Sequence, residues 1–125
     1  MSNAPTQLFG LMPLVRATVK SATTGNLTTI VTPDDSGTLF ISLTTGTHAY
    51  TLPAVVDSKG KCYLFFDGET TQAITVASTA ANIMGVDSAA GTTLTSGGAI
   101  GDCAMIIGDG TNYFFFNIGG IWTIA

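Results

Sequence analysis

The chain has 125 residues and a net charge of −4, with four Lys or Arg against eight Asp or Glu. That length suits one domain with its own core, and the scattered Arg16, Lys20, Lys59 and Lys61 make no basic patch, so nucleic acid is not an expected partner. Charged residues are 10% of the chain where about 25% is ordinary, which predicts a coat of Thr, Ser, Gly, Asn and Ala with part of the surface covered by other subunits.

The opening MSNAPTQLFG lacks a basic n-region and a continuous apolar stretch, so a signal peptide is not expected. No apolar run approaches the roughly 20 residues of a membrane helix, and a membrane is not an expected partner. Residues 1–14 stand apart from the rest. They carry Leu8, Phe9, Leu11, Met12 and Leu14, interrupted by Pro5, Gly10 and Pro13, which oppose a regular helix or central strand. Two readings are open: a lead-in that packs on its own domain, or an extended apolar arm that docks on a neighbour.

Residues 15–125 read as a single β-domain with an apolar C-terminal tail. Helix formers are sparse, and short runs rich in Thr, Val, Ile and Phe are separated by Gly, Asp, Asn and Pro. Val15–Lys20 is a first strand. Leu27–Val31 follows the turn TTGN. After TPDDSG, Leu39–Leu43 alternates with Leu39, Ile41 and Leu43 on one face. TTGTH then turns the chain into Ala49–Leu52, which predicts a hairpin ended by Pro53. Lys61–Phe66 is a strong strand stopped by DGET, and Ala73–Ala77 is another. Asn82–Asp87 and Thr92–Thr95 are weaker. Cys103–Ile107, GDGTN and Tyr113–Asn117 make the clearest hairpin. The expected fold is all-β, a β-sandwich or jelly-roll-like domain of about eight short antiparallel strands. ATTGNLTTI and LTTGTHAYTL echo one another, too briefly to establish a solenoid.

No catalytic constellation is present, and an enzyme is not expected. His48, in TTGTHAY, reads as polar surface of a hairpin loop. Asp34 and Asp35 are adjacent on a turn, where two carboxylates do not converge on one substrate atom; turn formation explains them. Asp109 and Asn112 in GDGTN, and Asp67 in DGET, are oxygen donors without EF-hand spacing, so neither a metal nor a cofactor is expected. Cys62 and Cys103 read as two free buried thiols, with a disulfide as the alternative. Asn26-Leu27-Thr28 matches a glycosylation sequon by chance.

The aromatic end carries the sharpest signal. In Tyr113 to Asn117 alternate residues point to opposite faces, Phe114 and Phe116 on one side and Tyr113 and Phe115 on the other. Aromatics on both faces imply that both are covered, one by the core and one by a subunit or by the tail folding back. The expected subunit interface is Tyr113, Phe115, Ile121, Trp122 and Ile124.

TPDDSGTLFISLTTGTHAYTLPAVVDSKGKCYLFFDG, then NIMG, then GAIGDCAMIIGDGTNYFFF, resembles small β-rich structural modules of tailed bacteriophages. These are capsid decoration (cement) proteins and related tail-fibre and tail-spike domains, in which a D-x-G turn, a TLP strand, an I-x-G segment and a final GD…DG-T-N hairpin recur. The likeness spans roughly residues 32–117, with Tyr113 where such modules often have Trp. It implies a virion structural protein, commonly a homotrimer, made in the host cytoplasm and placed on the outer capsid surface against the major capsid protein. Leu8, Phe9, Leu11, Met12 and Leu14 are then the expected capsid-docking residues. The alternative is a tail-fibre or tail-spike module that binds a host-surface glycan, which predicts an exposed aromatic groove.

Overall fold

The computed structural model describes residues 18–69, 72–85 and 89–125. Thr-, Val- and Phe-rich runs form eleven strands among them: β1 (Thr18–Ala22), β2 (Leu27–Ile30), β3 (Thr38–Ser42), β4 (His48–Thr51), β5 (Cys62–Asp67), β6 (Ile74–Ala77), β7 (Ile83–Met84), β8 (Thr93–Ser96), β9 (Cys103–Gly108), β10 (Tyr113–Gly119) and β11 (Trp122–Ile124). They make two sheets, a six-stranded one in the order β1-β3-β5-β9-β10-β7 and a five-stranded one in the order β11-β8-β6-β4-β2. The all-β, two-sheet expectation holds.

The expected antiparallel pairing does not. Five of the nine strand pairings are parallel. From β1 to β6 the chain alternates between the sheets, so that β1, β3 and β5 stack in one and β2, β4 and β6 in the other. This is a short solenoid of three coils. Thr18 stands beside Thr38, and Leu39 beside Leu64; across the core Leu27 stands beside His48, and His48 beside Ile74. The expected hairpin of Leu39–Leu43 with Ala49–Leu52 is therefore wrong, because β3 and β4 lie in different sheets.

The physical reason lies in the echoed TTG turns. They are stacked corners, not hairpin turns. Thr47 N–H donates to Asn26 Oδ1 at 3.0 Å, and Leu27 N–H donates to Thr47 O at 2.9 Å. Asn26 adopts φ 55°, a left-handed conformation that asparagine tolerates. A Cβ on Gly46 would lie 2.6 Å from the Asn26 backbone nitrogen, and Gly46 has φ +137°, so the close stacking of one corner on the next requires glycine there.

The third coil is closed by antiparallel strands, β8 on β6 and β9 on β5. The expected β9–β10 hairpin is present. The inward residues of the two sheets form one core, centred on Phe40, Tyr50 and Phe65, whose ring centroids lie 5.1–5.5 Å apart.

Candidate functional site

The polar residues singled out in the sequence are mostly structural. His48 is not on a loop surface. It begins β4 and is 1% exposed, because β4 turns it into the core between Leu27 and Ile74. Its Nε2 lies 3.5 Å from Thr44 Oγ1, and its Nδ1 has no hydrogen-bond partner. An imidazole so enclosed has no access to substrate.

Asp34 is exposed, whereas Asp35 is buried. The Asp35 carboxylate accepts from Lys20 Nζ at 2.7 Å and from Thr32 N–H at 2.9 Å. Burial pushes its pKa up, but the Lys20 and Thr32 bonds outweigh burial and hold it below the ordinary carboxylate value. Asp109 Oδ1 accepts from Thr111 and Asn112 N–H groups at 2.8 and 2.7 Å, so the carboxylate shapes the hairpin turn. Among the described residues, no group of three or more His, Cys, Asp or Glu is placed to hold a metal.

Asp67 closes β5 with no exposure. Ser96 Oγ donates to it at 3.1 Å and Glu69 N–H at 3.3 Å. Burial raises its pKa against those two bonds, and the nearby Glu69 and Asp102 charges push the same way. Ser42 Oγ and the Tyr50 hydroxyl are buried without hydrogen-bond partners; burial first, and the Asp67 charge second, push the Tyr50 pKa up to about 12. These groups are enclosed between the sheets. Cys62 and Cys103 are both free thiols. Burial pushes the Cys62 thiol up to about 11 and raises Cys103 as well.

Four of the five residues expected at a subunit interface pack within this chain's own fold. Tyr113 is fully buried in its own chain, where its hydroxyl donates to Pro53 O and lies 2.9 Å from the Ser58 hydroxyl, within hydrogen-bond distance. Phe115, Trp122 and Ile124 pack on the same core. Trp122 sits 6.1 Å from Phe115, and its Nε1–H donates to Gly119 O. The tail has folded back as β11 against β8. Ile121 alone of the five stays out, 73% exposed. The physical reason is strand parity: β10 places Tyr113 and Phe115 inward, which turns Phe114 and Phe116 outward. Leu8, Phe9, Leu11, Met12 and Leu14 lie outside the described residues.

What those outward aromatics join is the main feature of the surface. Across the six-stranded sheet, register aligns Val19, Leu39, Leu64, Met105 and Phe116 in one unbroken row over five strands. Their chain neighbours Phe40, Phe65 and Ala104 are buried, so alternation turns the row away from the core. A second row runs Ser21, Ile41, Phe66 and Cys103, and a third runs Cys62, Ile107, Phe114 and Met84. Apart from Ser21, every side chain in these rows is apolar or a thiol, and none is charged. At the β7 edge, Met84, Gly85, Phe114, Phe115 and Phe116 line an open groove of ≈ 270 Å³.

Alternation in the sequence carries part of this face. Leu39, Ile41 and Leu43 fall on one side of their strand by alternation, and so do Phe114 and Phe116. CYLFF and AMII, apolar at both parities, were the remaining signal of a strand covered on both sides.

The chain matches no protein-family model and no curated protein sequence. Among the described residues no helix is long and apolar enough to cross a membrane.

Proposed function

We propose that this chain is a structural virion protein: a bacteriophage capsid decoration protein that works as a homotrimer on the outer shell and stabilises it by bridging copies of the major capsid protein. One observation carries the assembly part of this reading, the apolar row Val19–Leu39–Leu64–Met105–Phe116 on the outside of a sheet. A soluble monomer rarely leaves so broad an apolar face uncovered. The phage setting rests on the resemblance over residues 32–117.

Magnitudes support assembly. Six strands and about five residues per strand give a flat footprint near 400 Å² per copy. Two such faces buried together contribute about 20 kcal/mol at about 25 cal/mol per Å², against an association cost of about 4–15 kcal/mol. No metal, cofactor or catalytic group enters this function. The test is to mix the purified protein with undecorated capsids and pellet them, then locate the chain by electron cryo-microscopy. Co-pelleting with density on the outer shell is the expected result; density on the tail, or no binding, would refute it.

A second reading has one observation in its favour. The groove beside Phe114 and Phe116 is the exposed aromatic feature that a glycan-binding module calls for. The side chains that line it are all apolar, however, and ligand sites fix orientation with a few placed polar groups. Glycan-array binding abolished by Phe116→Ala would favour this reading over decoration.

A further inference from the structure

We infer that the outer face of the six-stranded sheet is the joint between copies of this chain, its occupant being the same face of another copy. This rests on the assembly reading above only in requiring more than one copy; like faces pair about a two-fold axis, so the joint makes a dimer where that reading has a trimer.

Width is the first argument. Strand spacing makes the face roughly 25 Å across and 17 Å along the strands. An extended peptide covers a strip about one strand spacing wide and leaves most of the rows in water. A partner that covers them all is itself a sheet or a comparably flat body. Sheets pack face to face about 10 Å apart with their side chains interleaved.

Chemistry is the second argument. The rows hold no charged side chain, so they offer a partner nothing to recognise by charge. They reward only an equally apolar and equally flat surface. Among the described residues, the one surface of that kind is this same face. The outer face of the other sheet is built of Thr and Ala along the corresponding row. An anionic lipid surface is disfavoured, because the chain carries a net charge of −4 and Lys20 is already paired with Asp35. Self-association needs no second protein and closes by symmetry, so no apolar face is left over.

Cys103 provides a native reporter. It lies in the second row beside Phe66 and is partly accessible in one copy, whereas Cys62 is buried. Covering the face by another copy covers Cys103.

The experiment compares three proteins by sedimentation equilibrium: wild type, Met105→Asp in the middle of the apolar row, and Thr95→Asp on the opposite face as control. The expected result is a mass of twice 12.8 kDa for wild type and for Thr95→Asp, with loss of assembly to 12.8 kDa for Met105→Asp. Far-UV circular dichroism checks that the variant keeps its strands. A wild type that is monomeric at every concentration, or a Met105→Asp protein that assembles like wild type, overturns the inference. If Met105→Asp does not fold, iodoacetamide labelling of wild-type Cys103, mapped by mass spectrometry, decides. Labelling that slows as protein concentration rises supports the joint; labelling independent of concentration overturns it. Capsid binding plays no part in these readouts, so the joint and the virion reading stand or fall separately.

Discussion

The two outer faces of this molecule are built on the same plan and finished in opposite chemistry. Across the six-stranded sheet one register row reads Val19, Leu39, Leu64, Met105, Phe116. Across the five-stranded sheet the matching row reads Thr28, Ala49, Thr75, Thr95, Thr123, and its neighbour reads Ile30, Thr51, Ala77, Thr93. Both faces sit over one core, on strands of similar length. Threonine satisfies β-propensity with a hydroxyl that water can solvate; Leu, Met and Phe satisfy it with area that water cannot. The difference teaches that the solenoid itself asks only for β-branched, aromatic or otherwise sheet-compatible side chains on its outside. The fold therefore leaves the polarity of each outer face free.

The strongest way to break the comparison is to remove what the faces share. Phe65 is fully buried, stacked on Phe40 and tilted against Tyr50. Phe65→Ala is expected to cost about 3–5 kcal/mol, read as a lowered midpoint in urea, and to take both faces with it. Gly46→Ala is expected to cost about 3 kcal/mol through its φ of +137° and the 2.6 Å approach to Asn26. It strikes the corner that fixes the register of β2 on β4. The midpoint of thermal melting checks it, and a variant as stable as wild type would show that the corners do not set the coil.

A sharper pair leaves the core alone. Ile41→Lys and Thr75→Lys place the same charge on half-exposed outward positions of the two faces. Thr75→Lys is expected to stay within about 0.5 kcal/mol of wild type and to leave the sedimentation profile unchanged. Ile41→Lys is expected to lose assembly. Equal behaviour of the two would mean that the contrast between the faces has no bearing on association.

Much of this was legible before any coordinates. The strand runs, the GDGTN hairpin and the two-sheet class follow from period-two alternation and turn residues, which are local properties. Alternation alone puts Phe114 and Phe116 on one side of their strand, opposite Tyr113 and Phe115, as the structure has them. What alternation cannot reveal is which side is the core, because a strand that is apolar at both parities reads the same from either face. Pairing partners were illegible for another reason. β3 and β4 are close in sequence and each carries a hairpin-like pattern, yet their neighbours lie 20–26 residues away, one coil before or after. The echo of TTGN in TTGT was the trace of that coil, and its meaning depends on Asn26 reaching Thr47 across the stack. His48 was misplaced by the same error: in a hairpin loop it would face water, and on a coil strand it faces the core.

The smallest expected effect concerns the charge enclosed between the two faces. Asp67 is buried at the end of β5 and receives only the Ser96 hydroxyl and the Glu69 N–H, while Glu69, Asp102 and the Tyr50 hydroxyl lie near it. Burial raises its pKa above the unfolded value. The sign follows from linkage: a folded-state pKa above the unfolded one favours the protonated form in the folded protein, so its contribution is fully present below the unfolded pKa and is lost as pH rises through the folded one. Asp35 runs the other way. Its lowered pKa makes a contribution that is present above the unfolded pKa and is lost as pH falls through the folded one. The two opposing slopes therefore overlap near the ordinary carboxylate range. Asp67→Asn removes the first and keeps the second. Its stability, followed by urea denaturation from pH 3 to pH 7, is expected to rise relative to wild type as pH increases, because the wild type alone must hold a desolvated carboxylate. The amide cannot accept both native bonds at full strength, so the variant is expected to be the less stable protein at the acid end. A difference between the two proteins that is constant across the pH range would show that Asp67 does not titrate differently on folding, and that its enclosure between the sheets carries no electrostatic cost.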